Sequence, residues 1–99
     1  MKVRFTEAAL SDIHEIREFL LSNYPSVAPL VEERIRAVTK RIGTWPESSP
    51  LVIDYPSVRA APLGRYPYRL FYVITGEAVE ILHIHHTSRQ PFWEERSSL

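Results

Sequence analysis

Cysteine is absent from the 99-residue chain, which excludes a disulfide framework, a thiolate zinc site and a cysteine nucleophile together. That absence fits a reducing compartment, and a cytoplasmic location is the expectation. No stretch approaches the roughly 18 apolar residues of a membrane-spanning helix. The opening MKVRFTEAAL carries charge without the apolar segment of a secretion signal, so no membrane association is expected. Glycine is scarce, with three residues in all, and none belongs to a phosphate-cradling loop. A Ser-His-Asp signature and a paired acidic cluster for magnesium are also missing. Neither charge is in excess: twelve Lys+Arg balance twelve Asp+Glu, so nothing pulls the whole chain toward nucleic acid. No lysine follows Lys40.

What is present is a globular composition, with 44% hydrophobic residues and 11% aromatics, read as one domain over residues 1–99. KVRF at 2–5 alternates and is short, which predicts a first strand at or near a sheet edge. Thr6 can cap a helix, with Glu7 and Asp12 placing acids toward its start. Ala9, Ile13, Ile16 and Leu20, with Leu10, Phe19 and Tyr24, form one wide apolar stripe over 9–24. Asp12, Glu15, Arg17 and Glu18 occupy the opposite face. After NYPS, Ser26 can cap a second helix with Pro29 in its first turn, and Val27, Leu30, Val31, Ile35, Val38 and Ile42 make its stripe. Gly43 reads as the residue just past the helix, and Pro46 prevents resumption. The short connection makes the two helices an antiparallel hairpin.

Three strands follow a proline-rich loop, at about 58–63, 66–75 and 78–86, with Thr75-Gly76-Glu77 as a tight hairpin. The order β-αα-βββ predicts an α+β domain, a helical hairpin on one face of a small, mostly antiparallel sheet. The other face is expected to stay partly open, with its cations at the surface and no charge buried. Between Tyr55 and Gly76 the charged residues are Arg59, Arg65 and Arg69, a local +3. A polyanion would therefore bind the sheet half.

Strand alternation puts Arg69, Phe71 and Val73 on one side, and Val79, Ile81, His83 and His85 together on one side of the last strand. Two readings of Arg69 stand: an internal partner, Glu80 or a carbonyl, or an external anion. His83 and His85 project the same way and can both reach one ion, but no third ligand of clear spacing accompanies them. No metal or other cofactor is expected. His86, at the strand exit beside Arg89, suits acid–base work, since imidazole titrates near neutral pH. Equally, these histidines can simply be hydrogen-bonded at a strand end. Phe92 and Trp93 either pack across the sheet or offer a stacking surface for a partner, and Glu94 and Glu95 read as a solvated tail.

With these residues in view, the chain resembles the RelE/ParE superfamily of toxins from type II toxin–antitoxin systems. YRLFY at 68–72 is similar to that family's Tyr-Arg-Leu/Ile-x-Tyr segment. VEILHIHHTSR at 79–89 is similar to its Val-x-Ile-Leu-x-Ile-x-His-x-x-Arg ending. The resemblance implies a cognate antitoxin whose C-terminal segment wraps the toxin and whose N-terminal part binds operator DNA. It also implies one of two targets. ParE-like members inhibit DNA gyrase; RelE-like members are metal-independent endoribonucleases that cut mRNA on the ribosome. For a ribonuclease, the resemblance makes Arg69, His86 and Arg89 catalytic. Arg59, Arg65, His83, His85 and Trp93 would serve target or nucleic-acid binding. Zero net charge, the absence of a tyrosine in the tail QPFWEER and the absence of late lysines favour the ParE-like branch.

Overall fold

Thr6 sets where the first strand stops and the first helix begins. Its hydroxyl accepts the Ala9 amide at 3.1 Å and lies 2.9 and 3.1 Å from the Ile81 and Leu82 carbonyls. One side chain thus caps the helix and pins its start to a distant strand. A computed structural model describes residues 1–89 and 92–93; Glu94 and Glu95 lie outside the described residues. The elements are β1 (Lys2–Phe5), α1 (Glu7–Asn23), α2 (Ala28–Thr44), β2 (Arg59–Leu63), β3 (Tyr66–Thr75) and β4 (Ala78–His86). They form one sheet in the order β1-β4-β3-β2. β1 runs parallel to β4, and the other pairings are antiparallel. The expected α+β architecture is the observed one, with β1 at an edge.

The principal core lies between the helices and the sheet. Val31, Ile35, Val38 and Ile42 of α2 pack with Leu63, Leu70, Tyr72 and Ile84 of the strands. Each fully buried side chain of this kind contributes about 1.5–3 kcal/mol. The α1 stripe is narrower than expected. Ala9 and Leu20 are buried, whereas Leu10 and Phe19 are 54% and 53% exposed, and Tyr24 is exposed too. Asp12, expected among the solvent-facing acids, is only 9% exposed.

Two details of α2 also depart from expectation. Val27, not Ser26, is the N-cap, without a side-chain hydrogen bond, while Pro29 sits in the first turn as expected. Gly43 lies inside the helix, which ends with the Trp45 amide on the Arg41 carbonyl. A Cβ at Gly43 would meet Val3 Cγ2 at 3.0 Å and the Met1 carbonyl at 3.3 Å. Glycine serves there for close approach of β1 and not for a left-handed turn.

β4 contains a bulge. Phe71 faces His83, yet the next residue of β3, Tyr72, faces Ile81, leaving Leu82 as the extra residue. The strict alternation expected along β4 therefore fails. Val79, Ile81 and Ile84 turn to the helices, while His83 and His85 stand opposite Phe71 and Arg69.

The far face of the sheet is not bare. Val58, Ala60 and Phe71 form a second buried cluster, with Tyr55, Leu82, Phe92 and Trp93 packed on it. The face expected to stay partly open is roofed here by the β2 approach and by residues 92–93. Among the described residues, no helix is long and apolar enough to cross a membrane.

Candidate functional site

Where β1 ends, opposite Ile81, the edge of β4 runs on with no further strand beside it among the described residues. α1 supplies the missing acceptor. Asp12 Oδ2 accepts the Ile84 amide at 3.0 Å and lies 2.8 Å from His83 Nδ1. His85 Nε2 stands 3.5 Å from the same oxygen, too far for a made hydrogen bond. Burial alone would raise the Asp12 carboxyl. The two imidazoles and the Ile84 amide outweigh it and hold the group below the usual carboxylate range. His85 is 3% exposed, and neither of its ring nitrogens has a hydrogen-bond partner among the described residues. Its ring meets Phe71 edge-on at 6.2 Å and lies 4.8 Å from the His83 ring. His83 in turn lies 4.5 Å from the ring of Phe92.

This arrangement corrects two expectations. A charged group is buried, namely the Asp12 carboxylate, and two of the three strand histidines turn to that internal acid instead of to a bare platform. The third group of the ligating kind that His83 and His85 lacked in sequence is brought beside them by the fold, and it is Asp12. Its signal was present: Asp12 lies three residues after Ala9 and four before Ile16, inside the buried stripe. A carboxylate at such a position needs a partner.

The three residues proposed for ribonuclease chemistry are divided between the faces of the sheet. Arg69 lies opposite Pro62 and His85, and its guanidinium is 5.3 Å from the Phe71 ring centroid. Glu80, one internal partner considered for it, lies 3.7 Å from Arg4 instead. His86 is exposed on the helix side, edge-on to Tyr68 at 5.4 Å. Its Nδ1 takes the Ser88 amide at 3.1 Å and lies 2.7 Å from the Ser88 hydroxyl. Arg89 joins His86, Asp12 and His85 around a groove of about 270 Å³. Burial pushes the Tyr68 phenol at this groove above its ordinary value.

The candidate binding residues are also dispersed. Arg59 donates to the Ser49 carbonyl at 2.7 Å and reaches that of Glu47 at 3.4 Å, so it anchors the loop after α2. Arg65 is exposed in the β2–β3 turn. Trp93 stacks on Tyr55 at 5.4 Å and meets Phe71 edge-on, which is packing across the sheet. A larger depression of about 710 Å³ lies between β1 and α2, lined by Val3, Phe5, Ile35, Arg36 and Lys40 among others.

Residues 3–91 match the ParE toxin of type II toxin-antitoxin system, parDE. The chain belongs to the ParE toxin family. Solved structures agree on the fold. The chromosomal ParDE TA system from P. aeruginosa superposes with a TM-score of 0.76 at 22% identity, over 87% of this chain and 95% of that one. The toxin-antitoxin complex RelBE2 from Mycobacterium tuberculosis gives 0.56 at 26%, over 86% and 88%. The isolated E. coli RelE toxin gives 0.59 at 16%, over 98% and 95%. None of the curated proteins matches the chain. The chain thus joins a family of type II toxins whose fold the isolated E. coli RelE toxin also shares.

Proposed function

We propose that this ParE-family toxin arrests growth by binding DNA gyrase, is not a nuclease, and is neutralised by a cognate antitoxin. The observation that carries the choice is the separation of Arg69 from His86. Cleavage of RNA by its own 2′-hydroxyl needs a base, an acid and a cation around one phosphate. Arg69 lies with Phe71 on the far face, whereas His86 and Arg89 line the helix-side groove. The family match and the ParDE neighbour support the same branch.

An antitoxin partner is supported by the family and by the exposed apolar residues of the hairpin. Leu10, Phe19, Tyr24 and Leu30 are all solvent-facing, and the depression between α2 and β1 borders an edge strand. An amphipathic segment that folds on binding suits such a surface. The endoribonuclease reading retains one specific support, the meeting of His86 and Arg89 at one groove.

Inducible expression with DNA and protein synthesis followed separately tests the proposal. Early loss of DNA synthesis, an SOS response and linearised plasmid are expected. Early loss of translation with cleaved transcripts overturns the gyrase reading in favour of the nuclease.

A further inference from the structure

We propose that Asp12, His83 and His85 form a three-ligand site for a divalent transition-metal ion of the zinc type. The inference stands apart from the choice of toxin target. One donor atom from each residue falls in a group whose members lie within 4.8 Å of one another. In a tetrahedral zinc site with bonds of about 2.0–2.1 Å, neighbouring ligand atoms stand roughly 3.3 Å apart. The 3.5 Å between His85 Nε2 and Asp12 Oδ2 already has that spacing. The 2.8 Å pair of His83 and Asp12 opens by about half an ångström when an ion takes the place of the shared proton.

A second, independent observation points to a ligand. His85 is almost fully buried, with both ring nitrogens lacking a hydrogen-bond partner among the described residues. A buried polar group left in that state costs about 1–3 kcal/mol. An ion between Nε2 and the carboxylate relieves one of those nitrogens. A close His–Asp hydrogen bond accounts for His83, whereas His85 Nε2 stands 3.5 Å from the same oxygen, at ion-pair distance without a made hydrogen bond.

The donor set selects the class of ion. Two imidazoles and one carboxylate suit zinc, iron(II), cobalt or nickel, whereas magnesium and calcium favour oxygen-rich sites. The Ile84 amide already orients the Asp12 carboxylate, the supporting role that outer partners play for metal ligands. Asp12 lies 71 residues before His83, on a different element, so the ion clasps α1 to the edge of β4 beyond the end of β1. Three protein ligands leave a fourth position, and the adjoining groove, lined by Glu15, His86 and Arg89, gives water or a partner's side chain access to it.

The test titrates the purified full chain with zinc alone in a non-chelating buffer, by calorimetry, and follows thermal unfolding with zinc or magnesium. Cobalt is added separately to report geometry by its visible absorption. One equivalent of zinc, a thermal midpoint raised by zinc but not magnesium, and tetrahedral cobalt bands are expected. His83→Gln and Asp12→Asn should each weaken zinc at least tenfold with unchanged far-UV circular dichroism, while exposed His14→Gln leaves it unaltered. If Asp12→Asn does not fold, His83→Gln, at a partly exposed side chain, decides alone. Absence of saturable zinc binding, or affinity retained in His83→Gln, overturns the proposal.

Discussion

Asp12 Oδ2 receives the Ile84 amide at 3.0 Å, so a helix carboxylate completes the edge of β4 where β1 has run out. This contact joins the first helix to the last strand and draws His83 toward the same oxygen. Asp12→Ala removes an acceptor from a buried amide and from an imidazole together. An unmet buried group costs about 1–3 kcal/mol, so urea unfolding should show a loss of about 2–4 kcal/mol. Asp12→Asn, which keeps an acceptor for the amide, should lose less. Equal stability of wild type and Asp12→Ala would remove this contact from the fold's essentials.

Gly43 gives a prediction of opposite sense to helix propensity. In an open helix interior, Gly→Ala stabilises by roughly 0.5–1 kcal/mol. Here the new methyl meets Val3 at 3.0 Å and the Met1 backbone at 3.3 Å, and overpacking costs about 1–3 kcal/mol. Gly43→Ala should therefore lower the thermal midpoint. A raised midpoint would show that β1 yields easily.

The roof over the far face is tested at Phe71, which is fully buried beneath Phe92 and Trp93. Phe71→Ala should cost about 3–5 kcal/mol, and Trp93→Ala a smaller, measurable amount in the same denaturant series. A neutral Trp93→Ala would mean that the indole adds nothing to this cluster.

The pH response of Tyr68 has a definite sign. An ordinary phenol titrates near pH 10, and burial raises that of Tyr68. The folded state then holds the proton more tightly than the unfolded one. Its stabilising contribution is complete below about pH 10 and is lost as pH rises through the folded value. As pH rises above about 10, wild type should lose more stability than Tyr68→Phe, measured by denaturant midpoints at each pH. Parallel losses would contradict the assignment.

The elements were legible in the sequence because local signals and tertiary demands agreed: apolar spacing of three and four in both helices, alternation in the strands, Thr6 as a cap and Gly76 in the tight turn. What was not legible depended on contacts between distant elements. The bulge at Leu82 is one extra residue that no composition marks, and it moved Ile81 and His83 to different faces. Gly43 looked like a helix stop because its true reason, the approach of Val3, lies forty residues earlier in the chain. Asp12 reads as solvent-facing beside Glu15 and Glu18 because its partners, Ile84 and His83, belong to the last strand. The resemblance that placed the chain among RelE/ParE toxins rested on YRLFY and VEILHIHHTSR, where β3 and β4 pair. That pairing also sends Arg69 and His86 to opposite faces.

The most direct measurement is supercoiling by purified DNA gyrase in the presence of this toxin, wild type and His86→Ala, alongside ribosome-bound mRNA. Inhibition of gyrase at similar concentrations by both proteins, with transcripts intact, is the expected result. Unaffected gyrase together with mRNA cleavage that falls by about 10²-fold or more in His86→Ala would contradict the account.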